Sequence, residues 1–139
     1  MQVSPSKAEI DVRIEVQKRG LHRKMLPMET VVIFDSHNGK PYIHIVAHDR
    51  LTKIMLQRGG TRLPFTVPDL LFGKGIDPIV PVYLDGQPHE KAGVMNRDQK
   101  INQLWAERGI VPLRFPYKAP LSDVRKMEIV DVIEKELQK

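Results

Sequence analysis

The chain has 139 residues, of which 41% are hydrophobic and 28% are charged, so it can bury a core and is not a disordered chain. Lysine and arginine total 22 against 17 aspartates and glutamates, and the resulting net charge of +5 favours a partner that carries phosphate groups. The absence of cysteine excludes disulfides and thiolate zinc sites. No apolar run approaches the ~20 residues of a membrane span, and the first residues lack an apolar signal core. We therefore expect a single domain over residues 1–139, in the cytoplasm and without a membrane partner.

The first third of the chain predicts a helix followed by a β-hairpin. Ser6 and Glu9 have the spacing of a capping box, and Gly20 suits a helix C-terminus, so we expect a helix despite an alternating, strand-like apolar pattern. The apolar runs Thr30–Phe34 and Tyr42–Val46 are separated by a segment that ends in an Asn-Gly pair. Such a pair between two strands indicates a hairpin turn.

The rest of the chain alternates between predicted strands and helices. Ile79–Leu84 lacks polar alternation and is expected to be a central strand, whereas Pro68 places its own strand at an edge or in a bulge. The other predicted elements are helix Leu51–Gln57, strand Phe65–Phe72, helix Arg97–Arg108, strand Ile110–Phe115, and a last helix after Ser122 that buries Met127, Val130, Ile133 and Leu137. This order predicts an α/β fold with a mixed sheet.

Three carboxylates lie in these predicted elements, one of them inside the predicted strand Phe65–Phe72. Asp69 follows Pro68, Asp85 ends the central strand, and Glu9 lies in the first helix. Two carboxylates on neighbouring strand ends can hold one Mg²⁺, which prefers oxygen ligands and keeps several waters. Such an ion lowers the pKa of bound water and neutralises charge on a scissile phosphate. Taken singly, the two aspartates also fit plain turns, and Glu9 also fits a capping box.

The order of these residues resembles the Vsr-like endonucleases, a branch of the PD-(D/E)XK nuclease superfamily. Pro68-Asp69 and Asp85-Gly86-Gln87 look like the two halves of the superfamily signature, with Gln87 in place of the usual lysine. His89 matches a histidine that Vsr-like members carry after the core strand. Glu9, followed by Gly20-Leu21, is similar to the first helix of that branch. Arg97-Asp98, with the strand after Gly109 that ends in Arg114, resembles its R-D-bearing helix and following strand.

The resemblance implies a restriction-endonuclease-like three-layer α/β/α sandwich with a central mixed sheet. It further implies a Mg²⁺-dependent DNA endonuclease or nickase, with Mn²⁺ as a substitute. Asp69 and Asp85 would bind the metal, with the Leu84 carbonyl as an extra ligand. His89 would act as general acid or base, and Glu9 would order a water or a second ion. The implied catalytic residues are Glu9, Asp69, Asp85, Gln87 and His89.

The basic residues are expected to contact the DNA backbone, although a solvated face is the simpler interpretation for most of them. The expected DNA-binding residues are Arg97, Arg23, Lys24, Arg58 and Arg62. Double-strand cleavage by so small a domain would imply a homodimer. Gln87 supports an alternative function, a catalytically inactive DNA-binding module on the same fold. Metal-dependent cleavage of plasmid DNA separates the two functions.

Overall fold

The computed structural model describes residues 6–60, 62–73, 79–86 and 92–139, with the backbone alone at residues 92–96. Over these ranges the chain alternates helices and strands, as expected for the α/β class. The helices are α1 (Lys7–Lys18), α2 (Leu51–Gln57), α3 (Ala92–Ala106) and α4 (Asp123–Gln138). The strands are β1 (Thr30–His37), β2 (Lys40–Ala47), β3 (Phe65–Thr66), β4 (Leu70–Gly73), β5 (Ile79–Asp85) and β6 (Leu113–Pro116). None of the helices in the described ranges is both long and apolar enough to cross a lipid bilayer.

Local signals account for the first helix and the hairpin. The Ser6 hydroxyl accepts a hydrogen bond from the Glu9 N–H at 3.1 Å, and Gly20 after the helix has a φ of 74°. The hairpin turns at Asn38 and Gly39, whose φ angles of 52° and 75° suit a two-residue turn that matches strand twist. Both predictions are confirmed. The hairpin is longer than expected, because β1 continues past Phe34 through a buried aspartate.

The six strands form two three-stranded sheets. One has the order β2-β1-β3 and is antiparallel, and the other has the order β4-β5-β6, with β5 antiparallel to β4 and parallel to β6. The prediction of one strand over Phe65–Phe72 is wrong, because the chain leaves the first sheet after Thr66 and joins the second at Leu70. Pro68 lies between the two strands and has no N–H to donate to a ladder. The prediction that β5 is central is confirmed for its own sheet.

Helices lie against both faces of the β4-β5-β6 sheet. On one face, α1 and α4 bury a cluster that contains Val12, Phe72, Val82 and Ile133. On the other face, Trp105 of α3 packs with Leu71 and with Phe34 of β1. Successive side chains of a strand point to opposite faces, so Phe72 and Leu71 serve the two clusters in turn.

The buried face of the last helix differs from the prediction at one position. Val130, Ile133 and Leu137 are buried as expected, but Met127 is 41% exposed and that part of the prediction is wrong. Ile129, four residues before Ile133, takes the place on the buried stripe because residues four apart lie one above the other on a helix.

Candidate active site

The three predicted carboxylates come from three elements and approach one edge of the β4-β5-β6 sheet. Leu70 pairs with Val82 on antiparallel β5, so Asp69, one residue earlier, lies alongside the end of β5 that carries Asp85. The Leu84 N–H donates a hydrogen bond of 2.7 Å to Asp69 Oδ2 and fixes that carboxylate. Glu9, in the first turn of α1, is connected to Asp69 through Arg13, which contacts the Glu9 carboxylate and the Asp69 carbonyl oxygen.

The charges of these carboxylates influence one another. Burial raises the pKa of Asp69 above its usual value, and the nearby charge of Asp85 raises it further, against the Leu84 N–H and two arginines. Burial also raises the pKa of Glu9, and the charge of Asp69 adds to this effect while Arg13 opposes it. Partly buried carboxylates that repel one another are stabilised by a cation placed among them.

Arg13 is one cation that the fold supplies to this site. From α1, its Nε donates to Glu9 Oε1 at 3.2 Å and its Nη2 donates to the Asp69 carbonyl oxygen at 2.7 Å. A third contact joins its Nη1 to Met25 Sδ at 3.5 Å. Arg13 therefore links the first helix to the chain just before β4 and holds Glu9 near Asp69.

Arg114 is a second cation, and it approaches from the opposite side. It lies on β6, where the parallel pairing places it beside Tyr83 of β5. Its Nη1 lies 3.7 Å from Asp85 Oδ1, its Nε donates to Asn102 Oδ1 at 2.8 Å, and its Cζ lies 4.1 Å from the centre of the Tyr83 ring. Sequence reasoning used Arg114 only to mark a strand end. The contacts of Arg114 depend on the parallel register of β5 and β6, which the local sequence does not show.

Position 86 requires a glycine because the Tyr117 ring occupies the space that a side chain would fill. A Cβ atom at Gly86 would overlap the Tyr117 side chain. The Tyr117 N–H also donates to the Asp85 carbonyl oxygen at 3.2 Å, so the chain after β6 crosses the end of β5. The Asp-Gly pair is therefore more than a turn signal, since the glycine admits Tyr117 against the strand end.

The remaining predicted site residues are spread over the molecule. Gln87 and His89 lie outside the described residues. Arg97 is an exposed residue of α3, Arg23 and Lys24 are exposed in a 3₁₀ turn after α1, and Arg62 is exposed before β3. Arg58 follows α2, and its guanidinium contacts the carboxylate of Asp35 at 3.0 Å, so that charge is already engaged inside the protein.

Asp35 is the centre of a second polar cluster, on the β2-β1-β3 sheet, that sequence reasoning missed. The side chain is buried, and it accepts hydrogen bonds from the Ser36 N–H, the Tyr42 hydroxyl and His44 Nε2 as well as from Arg58. Burial alone would raise the pKa of Asp35, but these hydrogen bonds and the Arg58 charge outweigh it and lower the pKa to about 2. Every oxygen of this carboxylate has partners within the fold, so the cluster has a structural role.

The oxygen ligands near the end of β5 are of the kind that a hard cation prefers. Asp69, Asp85 and the Leu84 carbonyl offer oxygen only, and Mg²⁺ is commonly held by one or two carboxylates with water in its other positions. Among the described residues, no three His, Asp or Glu side chains are grouped so that they could hold a metal by themselves. An ion held by Asp69 and Asp85 would therefore have to keep several waters.

No family model, no curated protein and no solved structure matches this chain. The function is therefore inferred from the geometry and electrostatics of the site.

Proposed function

We propose that this protein is a metal-dependent DNA endonuclease or nickase of the Vsr-like type that hydrolyses phosphodiester bonds. The observation that carries the proposal is the approach of Glu9, Asp69 and Asp85 to one sheet edge, from three elements that are far apart in sequence. Burial raises the pKa values of Glu9 and Asp69, the charge of Asp69 adds to the rise at Glu9, and the charge of Asp85 adds to the rise at Asp69. Perturbed carboxylates are found more often at functional sites than elsewhere, which supports a functional role here.

Each residue has a distinct role in the proposed reaction. Asp69 and Asp85 would hold Mg²⁺, and the Leu84 N–H keeps the Asp69 carboxylate in position. A bound Mg²⁺ would supply a water of lowered pKa and would neutralise phosphate charge. Glu9, oriented by Arg13, would orient the attacking water by hydrogen bonding. The assignment of His89 as general acid or base stays a prediction.

The proposed function goes together with a specific arrangement of the helices and sheets. We infer a restriction-endonuclease-like three-layer α/β/α sandwich with a mixed sheet at its centre. In its support, α1 and α4 cover one face of the β4-β5-β6 sheet and α3 covers the other. The succession of β5, α3 and β6 agrees with the core strand, helix and following strand of the resemblance, and the β4-β5-β6 sheet is mixed.

The decisive test compares the Asp85→Asn variant with the wild type in a plasmid-nicking assay with Mg²⁺ or Mn²⁺. The wild type should nick, and Asp85→Asn should lose at least about 100-fold in rate because a charged metal ligand is lost. Its affinity for DNA should stay equal or increase, since a negative charge that faces phosphate has been removed. Ca²⁺ should support binding of DNA without turnover.

Asp49→Asn is the matched control, because it removes one carboxylate from an exposed turn far along the chain from the site. It should nick at the wild-type rate. Equal rates in Asp85→Asn and the wild type would rule out the assigned site.

A catalytically inactive DNA-binding module is the second candidate function. The observation that favours it is the engagement of Glu9 and the Asp69 carbonyl by Arg13, an arrangement that also suits a purely structural cluster. The same assay separates the two functions. Salt-sensitive binding of DNA without nicking under any divalent cation would favour the binding module, and absence of both would exclude both.

A further inference from the structure

We propose that Arg114 is a switching residue of this site, which holds Asp85 in the metal-free protein and contacts the substrate phosphate when a metal occupies the carboxylates. The inference rests on the proposed nuclease function and adds a residue to it. It assigns a source for the positive charge that Gln87, in the usual lysine position, does not supply.

The guanidinium of Arg114 is anchored on two sides. Its Nε donates to Asn102 of α3 at 2.8 Å, and its plane lies over the Tyr83 ring at 4.1 Å. The ring is itself fixed, because the Tyr83 hydroxyl is 2.7 Å from Thr66 Oγ1 and accepts a hydrogen bond from Trp105 Nε1 at 3.1 Å. The charged group is therefore positioned by β3, β5 and α3 together.

The contact between Arg114 and Asp85 is looser than these anchors. The distance of 3.7 Å from Nη1 to Oδ1 exceeds a charge-assisted hydrogen bond of about 2.7–2.9 Å. The Arg114 charge therefore lies beside Asp85, one of the proposed metal ligands. A cation in this position stabilises the carboxylates when no metal is bound and competes with a metal that binds there.

A guanidinium released from Asp85 is well suited to phosphate. Its N–H groups match the oxygens of a phosphate in pairs, and it keeps its charge at every physiological pH. Because Asn102 and Tyr83 hold the base of the guanidinium, a small movement of its Nη groups would be sufficient. The side chain would then stabilise the charge that develops on the phosphate during cleavage.

The experiment measures Mn²⁺ affinity by calorimetry on DNA-free protein and nicking under saturating Mn²⁺. Arg114→Gln should bind Mn²⁺ about three- to tenfold more tightly, because a competing charge is gone. The same variant should nick about 100-fold more slowly. Arg114→Lys keeps the charge, so it should restore wild-type Mn²⁺ affinity and part of the nicking rate.

Two further variants separate a positioning role from simple damage to the fold. Asn102→Ala frees Nε without changing the charge, so Mn²⁺ affinity should stay at the wild-type value while nicking falls about tenfold. Arg50→Gln removes one exposed positive charge elsewhere and should leave both readouts unchanged.

An unchanged Mn²⁺ affinity or an unchanged nicking rate in Arg114→Gln overturns the inference. If Arg114→Gln does not fold, Arg114→Lys and Asn102→Ala decide, and equal nicking by wild type and Asn102→Ala overturns it. A wild-type protein that neither binds Mn²⁺ nor nicks DNA overturns the proposed function and this inference together.

Discussion

Burial disfavours the ionised form of the Asp69 carboxylate and so raises its pKa above the usual value of 3.8. The ionised form therefore lowers the stability of the native state at neutral pH, and this cost disappears as the pH falls below both the folded and the unfolded pKa. Asn keeps an oxygen for the Leu84 N–H. We expect Asp69→Asn to have a higher Tm than the wild type at pH 7 and an equal Tm near pH 3, measured by thermal unfolding.

Adding a divalent cation to the same thermal-unfolding experiment tests whether Asp69 binds metal. A ligand that binds only the native state raises its Tm, so Mg²⁺ should stabilise the wild type but not Asp69→Asn. Asp49→Asn, which changes an exposed carboxylate, should follow the wild type in both experiments. A lower Tm for Asp69→Asn at pH 7 would mean that the charge stabilises the fold.

Some site residues could be recognised from their neighbours in the sequence, and others could not. Asp69 and Asp85 could be named as candidates because each stands beside apolar residues, but Asp69 is predicted inside one strand and instead lies between two. Arg13 and Arg114 could not, because their partners are set by how the elements pack. The apolar run stops at Phe34, so the sequence does not predict that β1 continues through Asp35 and that the turn begins only at Asn38.

At the level of elements, Asp35 connects three parts of the chain. It lies on β1 and accepts hydrogen bonds from two residues of β2 and from Arg58 at the end of α2. Its folded pKa of about 2 is below the unfolded value of 3.8, so its contribution to stability is complete above pH 4 and is lost as the pH falls toward 2. We expect Asp35→Ala to lower the free energy of unfolding by about 3 kcal/mol at pH 7.

Urea unfolding between pH 7 and pH 2 checks this expectation. The stability difference between wild type and Asp35→Ala should shrink below pH 4, as protonation removes the charge that the variant already lacks. Asp49→Ala, in an exposed turn, should stay within about 0.5 kcal/mol of the wild type. A difference that stays constant down to pH 2 would contradict an ionised, hydrogen-bonded Asp35.

Element existence was more predictable than sheet membership. Caps and turns at Ser6, Gly20 and Asn38-Gly39 act within a few residues, and each ends or begins an element where expected. The division of Phe65–Phe72 between two sheets depends on partners outside the segment, 32 to 34 positions back along the chain for Phe65 and Thr66 and up to 12 positions ahead for Leu70–Phe72. A single proline marks the break, but its meaning as a bulge, an edge or a change of sheet depends on those distant strands.

At the level of the whole molecule, the net charge of +5 predicts a strong effect of salt on DNA binding. Exposed Arg23, Lys24, Arg62 and Arg97 are the described candidates for phosphate contacts. If three or four phosphates are neutralised, the logarithm of the binding constant should fall against the logarithm of salt concentration with a slope of about −3. Arg97→Gln should reduce that slope by about 1, measured by fluorescence anisotropy at several salt concentrations.

Lys135→Gln removes an equal charge from the exposed side of α4 and serves as the control. Its slope should match that of the wild type. A flat dependence on salt in the wild type would argue that nucleic acid is not the ligand of this basic surface.

The single tryptophan gives the molecule an intrinsic optical probe of this region. Trp105 is fully buried, lies edge-to-face against Phe34 with ring centres 5.0 Å apart, and donates its indole N–H to the Tyr83 hydroxyl. The Arg114 guanidinium stacks against the ring of Tyr83. Emission from one native fluorophore, excited selectively at the red edge of its absorption, therefore reports on α3, on the hairpin sheet and on the ring beneath Arg114. Titrations with metal or DNA can be followed on this chain without an attached dye.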